Sequence, residues 1–199
     1  MADISTVPLI GPEHNGARMA LDEFARAEGR GGHVYELEKG TIIVVDVPGF
    51  SHSRIVRLIN RAIEIYDAAN PGHVYHVSGG SQAAMQMPEM QSERHPDLVV
   101  YLNPRPVGEE QPWSYWVPEI VVEVVSAGGE ERDYRVKREE YLRAGVQLYW
   151  IVDPEERTAT VLRRRMDTWQ EQHLDEAAKL TTSLLPGFEL PLAGLFPAK

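Results

Sequence analysis

Residues 118–126, Pro-Glu-Ile-Val-Val-Glu-Val-Val-Ser, constrain the fold more than any other segment of the chain. Val and Ile occupy both alternating sets of positions, so the run reads as a strand buried on both faces. Such a strand lies inside a sheet that other layers cover, which implies an α/β or α+β architecture. Glu123 breaks the pattern. Burying its carboxylate costs on the order of several kcal/mol unless the group is paired or coordinates a metal. Two readings are open: a buried ion pair with an arginine, or a carboxylate held there for chemistry.

The flanking sequence supplies the other elements of a mixed sheet with helices. Residues 33–38 and 41–45, joined through Lys39-Gly40, read as a hairpin. Apolar Ile55, Leu58, Ile59, Ala62, Ile63 and Tyr66 form one stripe of a helix over 54–69, with 51–53 as its N-cap region. Residues 21–28 read as a short helix, 73–77 and 96–102 as strands, and 103–116 as a loop rich in Pro and Gly. Residues 130–144 read as a helix stopped at Gly145, and 147–153 with 158–164 as a second hairpin. The expectation is a single domain over 1–199, with its core in about 20–196.

Two further residues join Glu123. Asp97 opens its strand after Pro96, and period 2 puts Asp97, Val99 and Tyr101 on one face. By itself Asp97 reads as a strand-start residue bonding loop amides. On the 130–144 helix, Tyr134, Lys137 and Tyr141 fall at i, i+3 and i+7, which turns Lys137 toward the sheet. Asp133 lies four residues before Lys137, so an ordinary surface ion pair is an equal reading. Together, an Asp and a Glu on neighbouring strands with an inward Lys form a two-carboxylate site for Mg²⁺ or Mn²⁺ beside a cation. That set suits phosphodiester hydrolysis.

Composition narrows the partners and the chemistry. The formal charge of −10, from 20 basic and 30 acidic residues, argues against nonspecific nucleic-acid binding by the whole surface. It leaves a metal-assisted site open. The chain has no cysteine, which removes thiolate zinc ligands and thiol nucleophiles and fits a reducing compartment. No segment reads as a signal peptide or a membrane span, so a cytoplasmic protein without membrane contact is expected. His33, His73 and His76 lack the pattern of a zinc site. Arg163-Arg164-Arg165 reads as a solvated strand end. Trp113, Tyr115 and Trp116 suit packing or a subunit interface better than base stacking, and Met85, Met87 and Met90 carry no signal.

Pro96-Asp97 and Glu123-Val124-Val125 resemble motifs II and III of the PD-(D/E)XK nuclease superfamily. More narrowly, the chain resembles the Uma2 family (DUF820) of restriction endonuclease-like proteins. Tyr35-Glu36-Leu37 with Gly40, His52 with Ile55, and residues 96–100 and 118–126 carry the likeness. It continues through Asp133, Lys137, Tyr141, Gly145-Val146, residues 149–154 and Leu185-Pro186-Gly187-Phe188. Two departures stand out: Val125 occupies the position of the motif's lysine, and Ala127-Gly128-Gly129 replaces a turn that usually contains Ser or Pro.

The resemblance implies a restriction endonuclease-like core and a metal-dependent endonuclease acting on nucleic acid, DNA foremost. Asp97, Glu123 and the Val124 carbonyl would bind Mg²⁺ or Mn²⁺, and Lys137, displaced to the helix, would position the water. Glu36 is a further acidic candidate, with an exposed strand charge as its alternative. His52 either faces the site or caps its helix, and His95 is a weaker candidate of the same kind. A homodimer is expected. The rival readings are a noncatalytic interaction module that retains the fold, and a small-substrate phosphoesterase.

Overall fold

The Glu123 run does form a central strand, in a computed structural model that describes residues 7–105 and 113–196. In chain order the first strands are β1 (Leu9–Ile10), β2 (Glu28–Gly29), β3 (Val34–Glu38), β4 (Thr41–Val45), β5 (His76–Ser78), β6 (Met85–Met87) and β7 (Ser92–Arg94). They are followed by β8 (Leu98–Tyr101), β9 (Ile120–Val124), β10 (Leu148–Asp153), β11 (Thr158–Arg165), β12 (Thr168–Leu174), β13 (Lys179–Thr182) and β14 (Leu185–Pro191). The α-helices are α1 (Leu21–Phe24), α2 (Phe50–Ala69) and α3 (Lys137–Ala144).

A six-stranded sheet runs in the order β12-β11-β10-β9-β8-β5. Only β9 and β10 pair in parallel, so the sheet is mixed, as the pattern of elements predicts. Every residue of β9 is buried. Its two faces meet different layers. Ile120, Val122 and Val124 pack with Ile55, Ile59 and Ile63 of α2 and with Phe188 of β14. Val121 and Val125 pack with Tyr141 of α3 and with Tyr149. A second, four-stranded sheet, β4-β3-β7-β6, carries Glu36 and Arg94. The β3–β4 turn matches its sequence: Lys39 and Gly40 both take positive φ, of 48° and 74°, between the paired residues Glu38 and Thr41.

Several boundaries differ from the sequence reading. The first helix ends at Phe24, because Glu28 and Gly29 pair in parallel with Leu9 and Ile10. The strand expected over 73–77 is His76–Ser78, and the one over 96–102 is Leu98–Tyr101. Gly49, not the 51–53 stretch, caps α2, which places His52 inside the first turn. The helix over 130–144 is interrupted: the Lys137 N–H donates to the Arg132 carbonyl, an i to i−5 bond closing a π-helical turn over Arg132–Val136. Gly145 ends α3 at φ 106°, the left-handed conformation expected of it. Of the loop over 103–116, residues 106–112 lie outside the described residues, and Trp113–Tyr115 form a 3₁₀ turn. Trp113 and Trp116 pack against Tyr101, which supports their reading as packing residues. Met85 and Met87, set aside as uninformative, are buried in β6.

The chain crosses tightly beside Asp97. A Cβ on Gly79 would stand 2.2 Å from the Asp97 carbonyl oxygen. Gly79→Ala therefore forces backbone to move next to the site, and about 1–3 kcal/mol of stability should be lost, the cost of overpacking. Urea unfolding reads this directly, and an unchanged midpoint would mean that the segment yields without strain.

Candidate active site

β8 and β9 run antiparallel with Leu98 opposite Val122, so one further step of that register sets Asp97 opposite Glu123. Glu123 is 3 % exposed, and its Oε1 forms an ion pair with Lys137 Nζ at 3.0 Å and accepts a hydrogen bond from the Tyr141 hydroxyl at 2.6 Å. The partner of the buried carboxylate is thus a lysine, not an arginine. Lys137 Nζ also lies 3.0 Å from Asp133 Oδ1, so both readings of this lysine hold together. It makes the i,i+4 pair, and it does so while buried against the sheet. The π-helical turn just before α3 accompanies this arrangement, in which Asp133, Lys137, Glu140 and Tyr141 are all buried.

Asp97 Oδ2 accepts from the Val124 N–H at 2.7 Å and meets His52 Nε2 at 2.9 Å. His52 therefore reaches the site from the first turn of α2, where its backbone position had suggested a cap. Glu36 enters from β3 of the other sheet. It is buried, not an exposed strand charge, and lies 4.0 Å from Lys137 Nζ and 2.9 Å from an Arg94 guanidinium nitrogen. His95 lines the same cavity and bonds Glu93 through Nε2 at 3.1 Å. The cavity holds about 130 Å³, and Glu36, His52, Asp97, Glu123, Val124 and Lys137 all line it. All six candidate residues thus converge, from β3, α2, β9, α3 and the residue just before β8.

The residues that sequence reasoning missed stand behind this set. Arg94 is fully buried and bonds Glu36, Glu38 and Glu140 at 2.9, 3.0 and 2.7 Å. Ser92 Oγ donates to the other oxygen of Glu140 at 2.8 Å. Arg94 stands two residues before Pro96 in a polar stretch with no hydrophobic period, so nothing local marked it as central. Its guanidinium ties β3 to α3, and through Glu36 it sets the wall behind Lys137.

The electrostatics of the site follow from the burial. Burial pushes the Glu123 carboxyl up, and although Lys137 opposes this, Asp97, Asp133 and Glu36 add to it, to about 8. Burial would lower the Lys137 ammonium, but the carboxylates of Glu123, Glu36, Asp133 and Asp97 outweigh it and hold the pKa above its ordinary value. Glu36 goes the other way. Burial would raise it, yet Lys137, Arg94 and Arg132 hold it at about 2.

That last shift has a defined pH window. The folded pKa lies below the unfolded value, so Glu36 stabilises the fold above pH 4.5 and this contribution is lost as the pH falls toward 2. The shift corresponds to about 3 kcal/mol. Glu36→Gln should cost stability at pH 6 and very little at pH 2, where the native glutamate is about half protonated. Urea unfolding of both proteins at the two pH values checks this, and an equal loss at both would assign the effect to shape and not charge.

Fold and site define a class: a mixed sheet with helices on its faces and a paired-carboxylate, lysine-containing cavity at the end of two strands, a restriction endonuclease-like protein. The model of the Uma2 family, described as "Putative restriction endonuclease", matches residues 21–193, and the chain belongs to that family. Among solved structures, the chain is similar to "a putative nuclease belonging to DUF820 from Anabaena variabilis ATCC 29413". The two share 20% sequence identity with a TM-score of 0.70, over 89% of this chain and 97% of the other, a likeness of fold. No curated protein matches the chain. No helix among the described residues is long and apolar enough to cross a membrane.

Proposed function

We propose that this chain is a divalent-metal-dependent endonuclease that hydrolyses phosphodiester bonds in DNA. The observation that carries the reading is Asp97 set opposite Glu123 with Lys137 Nζ 3.0 Å from Glu123, inside one cavity. Four carboxylates, those of Glu36, Asp97, Glu123 and Asp133, surround the Lys137 ammonium there, and burial, with the other three carboxylates adding to it, pushes Glu123 up. Lys137 and Arg132 line the cavity against those four carboxylates, an excess of negative charge that a divalent cation would offset. Among the described residues no three His, Asp or Glu side chains converge as an all-protein cage would require. Mg²⁺ needs only one or two carboxylates, because it keeps several waters.

Asp97, Glu123 and the Val124 carbonyl would hold the ion. When bound, Mg²⁺ or Mn²⁺ supplies positive charge at the phosphate and lowers the pKa of water. His52 and the Val124 N–H fix the Asp97 carboxylate through Oδ2. Tyr141 and Lys137 fix that of Glu123. Lys137 keeps its proton across the physiological range, so it acts as a charged donor toward a phosphate oxygen or the attacking water, not as a base. Asp133 and Glu36 hold its ammonium in place. The same reading includes action as a homodimer in the cytoplasm.

The noncatalytic module is the reading to exclude, and one observation favours it. Glu123, Asp97 and Glu36 each already have a partner within the chain, Lys137, His52 and Arg94 respectively. Calorimetry with Mn²⁺ and plasmid nicking with Mg²⁺ or Mn²⁺ separate the two. The nuclease binds Mn²⁺ and nicks DNA, and Asp97→Ala and Glu123→Ala lose both properties. Cleavage that survives both substitutions sinks the mechanism, and no Mn²⁺ binding at all leaves the module.

A further inference from the structure

Beyond the carboxylate cavity, His52 also lines a second hollow of about 340 Å³, together with Phe50, Ser126, Glu130, Asp153 and Glu155. That volume falls within the roughly 300–1,000 Å³ of small-ligand sites. Phe50 is its odd member. It is 86 % exposed on the first turn of α2, and Val47 beside it is 60 % exposed. At that exposure the Phe50 ring adds little to packing, and it stands in the wall of a polar cavity. Beside it, His52 is 8 % exposed, its Nε2 is engaged by Asp97, and its Nδ1 is buried without a hydrogen-bond partner among the described residues.

Charge separates the two sides of His52. The Phe50 hollow carries the exposed carboxylates of Glu130 and Glu155 and the buried one of Asp153. Phosphate is repelled there. An uncharged aromatic group is not, and carboxylates accept hydrogen bonds from exocyclic amino groups such as cytosine N4. On the other side, a groove of about 450 Å³ joins the catalytic cavity at His52 and Asp97 and runs along α2 past Ser53, Arg57 and Asn60. Arg57 is exposed and, among the described residues, has no ion-pair partner. Glu64, farther along the same groove, is engaged by Asn60 Nδ2 at 2.8 Å, and Arg57 with Ser53 offers donors to a phosphate there.

We propose that the hollow beside Phe50 binds one unpaired nucleobase bearing an exocyclic amino group, while the sugar–phosphate strand continues along the groove past Arg57. The inference rests on the nuclease reading and deepens it. The substrate is a strand with an unpaired base at the cleavage site, and cytosine or adenine is preferred to thymine. Phe50 stacks on the base, Glu130 or Glu155 accepts from its amino group, and Arg57 contacts a phosphate.

Fluorescence anisotropy with labelled single strands of dC and dT, and with a duplex of the same length, reads this without cleavage when Glu123→Gln protein is used in Mg²⁺. The dC strand should bind several-fold tighter than dT and than the duplex. Phe50→Ala should weaken dC binding by about 5- to 100-fold, the range of one lost base–aromatic stack, and Phe50→Trp should restore it. Arg57→Ala should weaken all three ligands alike. Equal affinity for dC and dT, no binding of either, or a Phe50→Ala protein with unchanged affinity overturns the proposal. If Phe50→Ala changes only the oligomeric state, the hollow is a subunit contact and the proposal fails. Plasmid nicking is scored separately. Nicking with no Phe50 effect removes the base site and leaves the nuclease, whereas Phe50-dependent binding without nicking does the reverse.

Discussion

Glu123→Gln should remove metal-dependent cleavage while leaving the fold as stable as before. A glutamine keeps the shape of the side chain and still accepts a hydrogen bond from Tyr141 or Lys137, which meet Glu123 at 2.6 and 3.0 Å. Burial, opposed by Lys137 and reinforced by the neighbouring carboxylates, pushes the Glu123 carboxyl well above its ordinary range, so little charge stabilisation of the fold is lost with it. Replacing it by a neutral amide then changes the folding free energy by less than about 1 kcal/mol. The same replacement takes a negative ligand from the ion and a partner from Lys137. The rate should fall by about 10²–10³-fold or more, the scale for removing one electrostatic contact to a developing charge. The measurement is single-turnover cleavage beside thermal unfolding. Loss of both together would show that Glu123 holds the sheet and has no separate role in the reaction.

Arg94→Met should produce the opposite split, a large loss of stability from a residue that touches no substrate. Arg94 is fully buried, and its guanidinium holds Glu36, Glu38 and Glu140. Removing it leaves Glu140 and Glu36 as buried carboxylates with too few donors. Breaking a buried ion pair from one side costs about 3–5 kcal/mol, against total stabilities of roughly 5–15 kcal/mol. Arg94→Lys should not rescue, since an ammonium lacks the planar fork that serves three carboxylates. Replacing Arg94, Glu36 and Glu140 together by Leu should recover much of the loss, because it removes the buried charges instead of orphaning them. Urea unfolding of the three variants tests this, and a triple variant weaker than Arg94→Met would show that the charges themselves stabilise the fold.

Much of the candidate site was legible because its signals are local. A glutamate among Val and Ile in β9 announces a buried charge whatever surrounds it. Asp97 and Glu123 share an alternation that follows from the strand period alone, and Lys137 follows from helical spacing. His52 was half legible. Its place beside a helix start was clear, but whether it capped or faced inward depended on Gly49 taking the cap. Short polar strands gave almost no signal. β6 and β7 alternate weakly, and β12 is exposed along most of its length, so no apolar period marks it. The interruption before α3 was equally hidden, since one i to i−5 bond leaves no trace in hydrophobic spacing.

By itself the sequence indicated a mixed sheet flanked by helices and offered Asp97, Glu123 and Lys137 as candidates, because strand and helix periods are properties of consecutive residues. Only the tertiary structure decided what those charges do to one another. Whether Lys137 pairs with Asp133, with Glu123 or with both depends on distances between β9 and α3. Whether Glu36 is a surface charge or a wall of the cavity depends on Arg94, 58 residues away. Coulomb interactions and burial are set by separation in space, and separation in space is what a linear pattern does not carry.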